Sequence, residues 1–172
     1  TIGHAVMGLL RFEERATLGG SVNFRSREGG VCDLLALADR PMRRLRGSEL
    51  AMIFQEPMSS LNPLFTIGSQ IAEQIAAHRK VSRREARERT LALLDQLGFA
   101  SPRKILTTYP HQISGGMRQR AMIGMALSCD PSLLIADEPT TALDVTIQAQ
   151  IIDLLKRLQE RTGMAILFVT HD

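Results

Sequence analysis

Three short apolar runs, 51–54, 133–136 and 165–169, punctuate the chain. Runs this short are too brief for helices and suit parallel strands covered on both faces. Between and after them the period turns helical. Ile67, Ile71 and Ile75, then Leu91, Leu94 and Leu97, predict two helices, the second opened by a capping box at Ser82 and Glu85. Ile147, Ile151, Leu154, Leu155 and Leu158 form a third apolar stripe, stopped by Gly163. The segment 20–37 alternates and is punctuated by glycine, which predicts a small antiparallel pair. A short arginine-rich helix is expected over 42–50 and another helix over 1–10, with His4 on its surface or in its packing seam.

The run at 133 ends in Asp137 and Glu138, so an apolar strand terminates in two adjacent carboxylates. Open α/β sheets place ligands at the carboxyl ends of their strands, which puts this pair at the mouth of a site. Side chains alternate along a strand, so the two cannot share one direction, and one is expected on a metal and the other on a water. The bland alternative is an acidic turn after a core strand. Upstream, Ser114, Gly115 and Gly116 open a segment that reads helical through Leu127. Glycine lets backbone close on a ligand, and a helix start presents unpaired N–H groups to an anion. Asp144 precedes the stripe at 147–158 and suits a helix N-cap, a role compatible with a place at a subunit interface.

Composition narrows the classes further. With 172 residues and 44% hydrophobic content the chain can bury one core, with room for a subdomain. No apolar run approaches the ~20 residues that span a bilayer, so a membrane role is expected to come through a partner. Cys32 and Cys129 have no metal-ligand spacing and read as free thiols of a reducing cytosol. The net charge of +3 is small. Arg43, Arg44 and Arg46 form one group and Arg83, Arg84, Arg87 and Arg89 another; without interleaved aromatics, solvated helix faces explain them better than nucleic acid does.

Five features in one order, namely Gln55, the string ISGGMRQR at 113–120, the strand ending in Asp137 and Glu138, Asp144, and His171 after the last run, resemble the ATP-binding subunits of ABC transporters. The resemblance covers essentially the whole chain. In it Gln55 is the Q-loop glutamine, 114–119 the signature, 133–138 the Walker B strand, Asp144 the D-loop and His171 the switch histidine. The loop 56–63 is similar to that of the oligopeptide, dipeptide and nickel importer group. Ile113 and Met117 depart from the broader LSGGQ pattern, and the thioether of Met117 cannot reproduce an amide's hydrogen bonds.

This resemblance implies an α/β fold of the P-loop NTPase (RecA-like) type: a parallel sheet with an inserted α-helical subdomain and a small antiparallel β-subdomain. It divides the chain into 1–55 (core and β-subdomain), 56–113 (helical subdomain) and 114–172 (the rest of the core). It implies ATP and Mg²⁺ as ligands. Glu138, His171 and Gln55 would be catalytic; Asp137 and Gln55 would hold Mg²⁺; Thr1, Gln55, Ser114, Gly115, Gly116, Asp137, Asp144 and His171 would bind nucleotide. The implied partners are a second ATP-binding subunit, two transmembrane permease subunits and, indirectly, an extracytoplasmic solute-binding protein, with no nucleic acid, at the cytoplasmic face of a bacterial inner membrane. The phosphate-binding pattern GxxxxGK[ST] occurs nowhere in the 172 residues. By the resemblance Thr1 would follow that loop's Lys-Ser pair, so the sequence reads as truncated at both ends and inactive by itself. Two other functions remain open: an ABC-type ATPase of DNA repair or translation, and an inactive remnant.

Overall fold

The structure is a computed structural model that describes residues 2–12, 17–27, 29–54, 61–141 and 143–170. Strands β1 (Asn23–Arg25) and β2 (Val31–Asp33) pair antiparallel as the glycine-punctuated alternation predicts. A three-stranded parallel sheet forms the centre, in the order β3 (Leu50–Ile53), β4 (Leu133–Asp137), β5 (Ala165–Val169). Parallel neighbours need long crossovers, and the helices supply them. Between β3 and β4 lie α3 (Ile67–His78), α4 (Arg83–Gln96), the single turn α5 (Pro102–Ile105) and α6 (Gly115–Leu127). Between β4 and β5 lies α7 (Val145–Thr162), closed by Gly163 in the left-handed conformation.

Strand parity sorts the core into two layers. Ala51, Ile53 and Leu134 face the cluster built by α3, α4, α6 and α7, with Ile71, Leu94, Ile123 and Leu155 among its members. Leu50, Met52 and Ile135 face the other way, onto Val6 and Met7 beside α1 (Ile2–Val6), Met42 of α2 (Asp39–Leu45), and Leu34. The register aligns Met52 with Ile135 and Ala51 with Leu134, so each face is apolar across the pair. Leu134, Ile135 and Ala136 are fully buried, as expected of a central strand.

Several expectations shift. The arginine-rich helix lies earlier than 42–50, at Asp39–Leu45, and frees Leu50 to open β3. Arg46 is no solvated surface residue: it donates from Nε to the Met7 carbonyl at 2.7 Å and from Nη2 to that of Gly8 at 3.1 Å, satisfying carbonyls just beyond α1. Helix α1 is only five residues long. Ser82 caps α4 by accepting from the Glu85 N–H, but the Glu85 carboxylate pairs with Arg89 at 2.8 Å, so one half of the capping box is made. Buried Gln70 pins the loop ahead of α3, donating to the carbonyls of Asn62 and Phe65 while its Oε1 accepts from the Asn62 N–H.

Candidate functional site

The end of β4 carries the two carboxylates. Asp137 has the parity of Leu133 and Ile135, so its side chain leaves the sheet on the α1 face. There its Oδ2 lies 3.9 Å from Nδ1 of His4, with the Asp137 side chain only 13% exposed. The His4 ring also meets Phe54 edge-on, centroids 5.9 Å apart, just past the end of β3. His4 therefore stands between the ends of two neighbouring strands, a place its setting in an apolar helix did not reveal.

Glu138 follows in an unusual backbone conformation. Its φ is 48°, the left-handed region that a residue with a Cβ occupies at a cost. Its N–H donates to the Val169 carbonyl at 2.9 Å, so it stays on the ladder. The Thr141 hydroxyl donates to the Glu138 carboxylate at 3.0 Å, and the Thr141 N–H to the Glu138 carbonyl at 3.1 Å. The two acids point in different directions, and Glu138 is held at the opening of a turn.

Ser114 is the N-cap of α6, its hydroxyl accepting from the Met117 N–H at 3.3 Å. Ser114 and Gly115 are exposed, leaving the first N–H groups of a 13-residue helix facing outward. The two glycines differ. A Cβ on Gly115 would meet only Leu143 at 4.0 Å, whereas one on Gly116 would come within 2.9 Å of Ile147, so Gly116 lets α6 approach α7. Asp144 caps α7, its carboxylate accepting from the Ile147 N–H at 2.9 Å. The N-termini of α6 and α7 are thus neighbours, and each is capped by a residue singled out in the sequence.

The structure brings the sequence candidates into two groups, Asp137 with Glu138 and Ser114 to Gly116 with Asp144. Gln119, missed in the sequence, ties them: it is buried in α6 and donates its amide to the Pro139 carbonyl, next to Glu138. Its Oε1 is buried without a partner among the described residues. A polar residue in the apolar stripe it shares with Met122, Ile123 and Leu127 was the available signal. Thr1, Gln55 and His171 lie outside the described residues. The strands leading to the latter two end beside Asp137, since Ile53 pairs with Ala136 and Val169 with Asp137.

The donor chemistry suits Mg²⁺, a hard ion that takes one or two carboxylates and leaves its other positions to phosphates and water. Asp137 offers such a carboxylate. Among the described residues no group of three or more His, Cys, Asp or Glu side chains is placed to hold a metal ion.

Comparison with known proteins bears on the family and the fold. The family model for the ABC transporter matches residues 19–141. The glutathione import ATP-binding protein GsiA of Pectobacterium atrosepticum is 57% identical, over 96% of this chain and 27% of that protein. A putative peptide import ATP-binding protein of Brucella ovis, BOV_A0348, is 54% identical, over 98% of this chain and 50% of that protein. The chain thus spans a quarter to a half of the length of these relatives. Among solved structures, the dimeric post-hydrolysis state of the ATP-binding cassette MJ0796 bound to ADP and Pi superposes with a TM-score of 0.70 at 31% identity, over 82% of this chain and 60% of that one. With a family match across most of its residues and a shared cassette fold beneath it, this chain belongs to the ABC transporter family.

Proposed function

We propose that the chain is the ATP-binding and ATP-hydrolysing part of an ABC importer for di- or oligopeptides or a related solute. The observation that carries this reading is the divergence of Asp137 and Glu138 at the carboxyl end of the central strand, one toward α1 and one held at the turn by Thr141. Breaking the β–γ bond of ATP is largely a matter of placing water and neutralising developing charge. Glu138 orients the attacking water and accepts its proton, and Asp137 holds the metal shell together with Gln55. Asp137 and Gln55 would hold Mg²⁺, which would supply positive charge to offset that developing on the phosphates. His171 would hydrogen-bond the γ-phosphate, and Thr1 would contribute to nucleotide binding.

The outward-facing helix start at Ser114, Gly115 and Gly116 receives the γ-phosphate of nucleotide held by a second ATP-binding subunit, and Asp144 lies at that interface. Dimeric cassettes such as MJ0796 support this pairing. Residues 56–113 act as the helical subdomain between the core segments 1–55 and 114–172. Of two permease subunits, one docks near Gln55 and residues 56–63; next in the chain Leu64 and Phe65 are 79% and 54% exposed. A solute-binding protein acts through the permeases. No helix among the described residues is long and apolar enough to cross a membrane. The permease subunits hold the protein at the cytoplasmic face of the inner membrane.

The test is Glu138→Gln in the full gene product. The amide keeps the shape but cannot accept a proton, so ATP binding is retained while hydrolysis falls by about 10²–10⁴-fold. Unchanged turnover removes Glu138 from this role.

A further inference from the structure

We propose that His4 is a positioning residue for Asp137: its imidazole orients the carboxylate on the side away from the metal and so tightens divalent-cation binding. The inference rests on the reading of Asp137 as the magnesium-holding carboxylate and assigns a role to a residue outside the sequence motifs.

Three observations converge on it. His4 Nδ1 and Asp137 Oδ2 are 3.9 Å apart, beyond a direct hydrogen bond but within ion-pair range. The Asp137 side chain is 13% exposed, so few water molecules compete for that oxygen. Phe54 braces the imidazole edge-on from the end of β3, which limits the directions the ring can take. Strand parity supplies the cause, because Asp137 leaves the sheet on the face against which α1 packs. Contact at Oδ2 leaves Oδ1 as the oxygen for the cation. Hydrogen-bond partners behind ligating groups fix their orientation, and their loss typically weakens metal binding about 10–100-fold.

The experiment is a Mn²⁺ titration of the full gene product with ADP present, read by the electron paramagnetic resonance of free Mn²⁺, with the thermal midpoint recorded for each variant. His4→Leu is expected to raise the Mn²⁺ dissociation constant about tenfold or more. His4→Asn, whose amide nitrogen takes the place of Nδ1, is expected to stay within about threefold of the parent, on the same scale of outer-partner effects. If Asp137→Asn weakens Mn²⁺ binding and His4→Leu does not, the inference fails while the reading of Asp137 stands. If neither changes it, Asp137 does not hold the cation and both fail. Equal weakening in His4→Leu and His4→Asn reduces His4 to packing and overturns the proposal. Should His4→Leu not fold, Phe54→Leu, which removes the brace, decides in its place: weaker Mn²⁺ binding supports the inference and an unchanged constant overturns it.

Discussion

The side-chain amide of Gln119, inside α6, donates to the main-chain oxygen of Pro139, one residue past Glu138. Both residues are buried, so no water replaces the donor if it is lost. This contact ties α6 to the acidic turn. Gln119→Met keeps the volume but leaves the Pro139 carbonyl without this donor, which costs about 1–3 kcal/mol. Part of that cost is offset because the unpartnered Oε1 leaves as well. Urea denaturation is expected to show a lowered midpoint with an unchanged slope. A midpoint within error of the parent means that this contact does not hold the turn.

How much of this was legible depended on whether a residue's role was local. The runs at 133 and 165 and the stripe at 147–158 announce themselves because burial on both faces, or on one helical face, leaves a periodic trace. Asp137 and Glu138 were visible because charge at the end of an apolar run has no local reason to be there. The left-handed Glu138 was not, since glycine or asparagine is the usual signal for that conformation and glutamate gives none. His4, Arg46 and Gln119 act on residues far away in the chain: His4 reaches Asp137, Arg46 reaches Met7 and Gly8, and Gln119 reaches Pro139. Each looks like an ordinary helical polar residue until the strand register brings its partner close.

Ser114 has two separable duties, as N-cap of α6 and as an exposed group at a helix start. Ser114→Arg removes the cap, at about 0.5–2 kcal/mol, and fills the space in front of the helix. Ser114→Asn keeps a good cap with a smaller side chain. In a Glu138→Gln background with ATP, sedimentation velocity is expected to show a dimer for the parent and for Ser114→Asn, and a monomer for Ser114→Arg. Persistence of the dimer in Ser114→Arg counts against the placement of a partner's phosphate at this helix start.

Cys129 lies buried at the end of α6, its Sγ 3.7 Å from the Gln74 carbonyl and 3.8 Å from the Ser128 hydroxyl. Burial pushes its thiol pKa up, against smaller lowering effects from the Ser128 hydroxyl and the Arg79 guanidinium. The native state thus holds this proton to higher pH than the unfolded chain, whose thiol titrates near pH 8.5. Stability from this group is fully present below about pH 8.5 and is lost as pH rises toward and through the raised native value. The unfolding free energy of the parent is therefore expected to decline more steeply above about pH 8.5 than that of Cys129→Ala, where only the other alkaline groups titrate. In the native protein at pH 8, a thiol reagent is expected to modify the partly exposed Cys32 promptly and Cys129 only on unfolding. Parallel pH profiles for the two proteins, or equal rates of modification at both thiols, contradict the buried, proton-retaining state of Cys129.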